Sequence, residues 1–360
     1  MESSLKETEY LIVGQGICGT LLSYYLRKAG KSVIVIDAPR QFTASKVASG
    51  IINPVTGKKW VTTWMAAQLL PFAAETYAEI GRDLGVKLLT EYDLFSFHTT
   101  PETQQLFEAR IEEDDRWLYT VNNETPWETF FHFHFGIGAV SPCYIIELQT
   151  LLSKWREQLA LDHALVEEEL DWNECIVAPD HVTYKNITAG KMICCSGAAG
   201  IDNPYFTRLP FQLNKGEAIF ASIPGLPRDH IYKHGVFNMV PVKDGDQFWI
   251  GSIFDREYKD EFPTTAFRRQ VEETLNRWLK LPFIITDHQA ALRPATGGQK
   301  PFAGMHPLYP SLGIFNGMGS KGCSQAPYLA HELVQHLVTG APLTPEADIN
   351  RFKRILSVAR

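Results

Sequence analysis

With 360 residues, 45% of them hydrophobic and 21% charged, the chain has an ordinary globular composition and enough apolar residues for a sizeable core. That length predicts two domains, or two intertwined halves, rather than a single core. A net charge of −7 without any Lys/Arg run argues against nucleic acid as a partner.

The amino-terminal MESSLKETEY is polar, and no apolar run approaches the roughly 18 residues of a membrane span, so a cytoplasmic location without membrane attachment is expected. Cys18, Cys143, Cys175, Cys194, Cys195 and Cys323 include no Cys-x-x-Cys pair, and no metal site is expected from them. Residues 9–14 form an apolar run entering a glycine-rich turn. Residues 17–29 follow as a helix, with Leu21, Leu22, Tyr25 and Leu26 at helical spacing and Gly30 at the end. Ser32–Asp37 is a β-branched run of the kind buried on both faces of a parallel sheet, which completes a strand–helix–strand unit. Asn53-Pro54 marks a break, and the pattern then predicts a helix over 63–80 and strands over 90–98 and 129–136. The last of these is almost entirely aromatic, with Phe131, Phe133 and Phe135 on one side and His132 and His134 on the other. A helix over 145–160 and a buried strand over 190–197 come next. Antiparallel strands are expected over 211–222 and 246–254, with a turn signal at Lys243-Asp-Gly-Asp246. A polar helix over 264–280, strands over 283–292 and 312–316, and a helix over 326–338 complete the chain.

Gly14, Gly16 and Gly19 follow a strand and open a helix. The first permits the tight turn, the second lets backbone approach a pyrophosphate, and the third lets the helix pack close to the strand, with its amides facing the phosphates. Asp37 ends the second strand 18 residues after Gly19, where an acid can bond ribose hydroxyls and would repel a 2′-phosphate. This element predicts a dinucleotide without separating FAD from NAD. The predicted architecture is α/β. A Rossmann-like dinucleotide-binding domain with a parallel sheet (1–88, 141–210 and 286–360) is interwoven with an α+β substrate domain built on an antiparallel sheet (89–140 and 211–285).

Four segments together resemble the D-amino-acid oxidase, glycine oxidase and sarcosine oxidase family of FAD-dependent oxidoreductases. They are the Gly14 turn, Thr43–Pro54, Met192–Ala199, and Leu292–Thr296 with Asn316–Gly322. Within that family the likeness is greatest to the oxidase half of the bifunctional enzyme that modifies the tRNA wobble uridine, by Ser49–Pro54 and Gly317–Gly322. The resemblance implies FAD as cofactor. It puts Ser45, Ser49 and Gly50 beside the flavin, and Gly197 on the ADP side. Gly317, Gly319, Ser320, Lys321 and Gly322 would form a loop that leaves room for the ring and aims a helix N-terminus at its pyrimidine end. A helix terminus and the Lys321 cation would suit the negative charge of the reduced ring.

The resemblance further implies oxidation of a small amine or amino acid by hydride transfer to the flavin, with Arg293 as the bidentate partner of the substrate carboxylate. Lys321 is a candidate helper at the flavin. Thr296-Gly297 departs from the acidic-Gly pair usual there. Tyr232, Phe237 and Trp249 are candidates to line the substrate pocket. Cys323 lies away from the position where some relatives attach flavin, so non-covalent FAD is expected. The alternatives are an oxidase acting on a modified tRNA base side chain, which a basic patch at Lys58 and Lys59 would favour, a non-catalytic flavoprotein subunit, and an NAD-dependent dehydrogenase.

Overall fold

The computed structural model describes residues 5–57, 59–114, 116–242 and 245–358. Lys58 of the basic patch, and Lys243 and Asp244 of the turn signal, lie outside the described residues. The chain divides into two compact units, one of residues 1–46, 148–214 and 292–360, the other of 47–147 and 215–291. Among the described residues no helix is long and apolar enough to cross a membrane.

The first unit is built on a mainly parallel sheet. Strand Lys6–Val13 lies between Val33–Ile36 and Ile187–Cys194, parallel to both, and Leu312–Asn316 extends the sheet beyond Ile187–Cys194. Leu11, Ile12, Val35, Met192 and Ile193 are fully covered, as expected for Val/Ile-rich strands with helices on both faces. Helix Ile17–Lys28 connects the first two strands and buries every residue from Ile17 to Leu26. Helix Gly322–Thr339 begins four residues before its predicted start and packs along Ile17–Lys28.

The second unit carries a nine-stranded sheet. Its order is 284–293, 214–222, 247–251, 237–241, 230–234, 89–97, 137–146 and 51–52, with 118–120 paired to 137–146. Strand 230–234 runs parallel to 89–97, while 214–222 with 247–251, 247–251 with 237–241, 237–241 with 230–234, and 137–146 with each of 89–97, 51–52 and 118–120 are antiparallel. One face packs Phe95, Tyr232, Phe237, Met239 and Phe248 against Phe267, Val271, Leu275 and Trp278 of helix Thr265–Trp278. The opposite face packs Leu94, Ile231, Val240 and Trp249 with Trp60 and Phe107.

Three expectations change. The aromatic stretch 129–136 is not a strand. Residues Thr125–Thr129 form a 3-10 turn, and Phe131 makes only a single bridge to Leu279. Its ring stacks on Trp278 at 4.7 Å, so the alternation reports burial without ladder pairing. The strand there is Ile137–Ile146, which runs through Ser141-Pro142, and helix Leu148–Leu161 starts after it. Pro142 has no N–H to give the ladder, and the register slips opposite it, between Tyr92 and Leu94, as a bulge. Finally, residues 47–88, expected with the dinucleotide-binding stretches, cluster with the second unit. Ile51–Ile52 pairs with Tyr144 and Ile145 there, and helix Ala66–Asp83 packs on strand Leu89–Phe97.

Candidate cofactor site

The Gly14 turn stands at the carboxyl ends of the central strands. Gly14 N donates to Ile36 O and Cys195 N to Val13 O, each at 2.8 Å, so three neighbouring strands end together. Gly14 has φ +99°, and a Cβ there would sit 2.7 Å from Cys195 O. At Gly19 a Cβ would lie 1.8 Å from Gly14 O, so only glycine lets the helix start this close to the strand. No side chain of Gly16 caps the helix, and its first turn holds no acid, which leaves positive amide ends for an anion. Ser45 Oγ accepts from Ile17 N at 3.0 Å, so Ser45 does sit on this turn.

Asp37 Oδ1 accepts from Gln15 N at 2.8 Å, and Oδ2 pairs with Arg156 Nη1 at 2.7 Å. Arg156 is in turn held by Glu167 at 2.7 Å. Sequence reasoning missed Arg156, because helix Leu148–Leu161 is over a hundred residues away and a single arginine on an amphipathic helix carries no signal.

The other glycine-rich elements gather in the same unit. Asn316 Nδ2 donates to Gly197 O at 2.9 Å, while its Oδ1 accepts from Gly317 N at 2.8 Å, tying together the ends of two neighbouring parallel strands. Gly197 has open space where a Cβ would point, whereas a Cβ on Gly317 would lie 2.6 Å from Thr296 Cγ2. Gly319 N donates to Pro294 O at 3.0 Å, Ser320 is exposed, and Lys321 is the N-cap residue of Gly322–Thr339. This second helix also starts with no side-chain cap and no acid in its first turn. A Cβ on Gly322 would lie 3.3 Å from Ile17 Cγ2, so the two open helix N-termini adjoin.

Arg293 Nη1 donates to Asn214 Oδ1 at 3.1 Å. Desolvation lowers its pKa to about 10, which leaves it a cation at neutral pH. Burial pushes the Cys323 thiol up to about 12, so it is no ready nucleophile for covalent attachment.

Other expected site residues belong to the second unit. Ser49 Oγ accepts from Ile51 N at 3.4 Å. A Cβ on Gly50 would lie 2.0 Å from Ile146 O, so strand pairing by itself accounts for this glycine. Tyr232 and Phe237 are corrected. Both lie in the core under helix Thr265–Trp278, Tyr232 donating to Pro227 O at 2.8 Å and Phe237 packing on Phe267 at 5.9 Å, so neither ring is open to a ligand. Trp249 is on the opposite face, anchored by Nε1 to Val47 O at 2.8 Å.

The cradle in the first unit therefore fits a dinucleotide, and a family model described as FAD dependent oxidoreductase matches residues 9–336. The chain belongs to that family. Solved structures share its fold. Glycine oxidase from Bacillus cereus ATCC 14579 aligns with a TM-score of 0.77 at 15% identity, over 98% of this chain and 99% of that one. Iminodiacetate oxidase from Chelativorans sp. BNC1 aligns with a TM-score of 0.71 at 17% identity, over 93% and 96%. L-proline dehydrogenase from P. horikoshii gives 0.74 at 14% identity, over 97% and 99%. The chain is an FAD-dependent enzyme of mixed α/β fold.

Proposed function

We propose that this enzyme oxidises the C–N bond of a small amine or amino acid. The observation that carries the reading is the pair of adjoining helix N-termini, each with no acid in its first turn and no cap from its own N-cap residue, at the ends of the parallel strands in a chain that matches the family model over 9–336. By their names, the three related structures act on glycine, iminodiacetate and L-proline, all amino carboxylates. Bound FAD supplies the hydride acceptor.

The protein's part is binding and alignment. The amides at the start of Ile17–Lys28 take the pyrophosphate, and Asp37, steered by Arg156, takes a ribose hydroxyl. The start of Gly322–Thr339 and Lys321 favour the electron-rich end of the ring system. Arg293 keeps its charge at neutral pH and binds the substrate carboxylate through its guanidinium fork. With Cys323 buried as a thiol, the cofactor is held without a covalent bond. The further likeness to the wobble-uridine enzyme rests on Ser49–Pro54 and Gly317–Gly322, and the net charge of −7 favours a free small molecule over tRNA.

The test is a visible spectrum of the purified protein, release of FAD on denaturation, and anaerobic titration with glycine, sarcosine, iminodiacetate, proline and D-amino acids. Bleaching by at least one of them is expected. A flavoprotein that none of these amines bleaches would overturn the proposed reaction while leaving the family assignment intact.

A further inference from the structure

Lys233 and Asn238 face each other across the strands His230–His234 and Phe237–Pro241 of the second unit. Alternation puts both on the face of Ile231 and Val240, the face that also carries Trp60 and Trp249. Lys233 Nζ lies 6.0 Å from the centre of the Trp60 ring. Among the described residues no carboxylate pairs with it, and burial alone pulls its pKa down to about 8. Across from it, Asn238 Oδ1 is buried with no hydrogen-bond partner among the described residues.

Each of these is costly in isolation. A buried charge lacks the water or counter-ion that would offset its desolvation, and an unpaired buried amide oxygen has lost its water without a replacement. Directly opposed residues of an antiparallel pair have Cβ atoms roughly 4.5–5.5 Å apart. One small ligand can therefore reach both. On its other side Asn238 faces Gly251, where a Cβ would lie 2.7 Å from Trp249 Cη2, so the indole folds over the glycine and walls this patch. The hydrogen bond from Trp249 Nε1 to Val47 O fixes that wall.

We propose that Lys233 and Asn238 form a recognition subsite for an amino carboxylate, the ammonium of Lys233 binding the carboxylate and Asn238 Oδ1 accepting from the ligand's N–H. The ligand needs both groups. A simple carboxylate leaves the amide oxygen unpaired, and a simple amine leaves the ammonium without a counter-ion. Glycine has a single carboxylate, which Arg293 holds in the proposed reaction, so the occupant of this subsite is a second amino-carboxylate molecule; that it belongs to the substrate's class rests on the proposed amine oxidation, and the test separates the two.

The holoprotein is acetylated with limiting acetic anhydride, and modification of Lys233 is followed by peptide mass spectrometry with glycine, iminodiacetate, acetate or ethylamine present. Glycine and iminodiacetate are expected to slow labelling of Lys233 by about tenfold at saturation, with exposed lysines such as Lys185 unchanged. Asn238→Leu is expected to weaken that protection by about tenfold. Equal labelling with and without amino carboxylates overturns the subsite, as does protection by ethylamine equal to that by glycine. Flavin bleaching without protection of Lys233 removes the subsite and keeps the oxidation. Protection without bleaching keeps the subsite and removes the oxidation.

Discussion

Replacing Gly19 by alanine tests the cofactor cradle most directly. The added methyl would sit 1.8 Å from Gly14 O, and real Cβ contacts below 3.0 Å are essentially never seen. The obstacle is backbone, so the helix start and the turn must separate by at least about 1.2 Å, a displacement that overpacking makes costly by about 1–3 kcal/mol. A phosphate–amide bond of about 2.9 Å would then stretch to about 4 Å, beyond hydrogen-bond range. Each bond to a charged group contributes about 1.5–3 kcal/mol, so losing two weakens FAD binding by about 3–6 kcal/mol, or a factor of about 10² to 10⁴. Gly30→Ala is the control. Its φ of +74° makes alanine strained by about 1–2 kcal/mol, yet nothing lies within 4 Å of the new methyl. FAD titration of the apoprotein, followed by flavin fluorescence quenching, should show the loss in Gly19→Ala and near-normal affinity in Gly30→Ala. If Gly19→Ala binds FAD within about threefold of the parent, the phosphate cradle is elsewhere.

Three further outcomes follow from named contacts. Asp37→Ala should weaken FAD binding more than Arg156→Met does, about 10–100-fold against less than about tenfold, because in the proposed binding mode Arg156 only steers the carboxylate assigned to ribose; a reversed order in the same titration contradicts the assignment. Glu217, which is 1% exposed, accepts from Thr264 N at 2.7 Å and pairs with His288 at 2.9 Å, with Lys215 Nζ 3.7 Å away. Glu217→Gln removes the buried counter-charge of Lys215 and leaves it the exposed Asp260 at 4.0 Å, and should cost about 3 kcal/mol in urea unfolding, where a loss below about 1 kcal/mol would refute the network's role. Burial lowers His98 from 6.5 to about 4 in the folded state, so the unfolded chain takes up its proton first as pH falls. Its contribution is whole above pH 6.5 and is lost between there and about 4, so His98→Asn should flatten the pH dependence of the melting temperature across that window; an unchanged slope counts against it.

The first unit was largely legible because its signals are local. Val33–Ile36 and Leu312–Asn316 are short β-branched or apolar runs buried on all sides, and of the glycines of the first turn Gly19 answers to a contact five residues away and Gly14 to the end of the neighbouring strand. The second unit was harder. Its strand Ile137–Ile146 contains a proline and follows an aromatic run that alternates more cleanly than the strand does. The bulge sets Ser141 and Pro142 against Asp93 alone, so the alternation of this segment changes phase at the proline.

The site divides along the same line. Gly14, Gly16, Gly19, Ser45, Gly197 and Gly317 came together in one unit because a dinucleotide is held by backbone, and backbone geometry selects glycine and small residues in recognisable strings. Side chains that recognise a substrate leave no such string. Tyr232 and Phe237 were chosen as aromatic, but which face of a strand a residue takes depends on register, and theirs turns them under helix Thr265–Trp278. The same register puts the next residue, Lys233, on the other face, opposite Asn238. A lysine between Tyr232 and His234 carries no sign of burial in the sequence. Its meaning comes from what the fold withholds, a carboxylate within reach among the described residues, and such an absence is visible only once the neighbouring strands are in place.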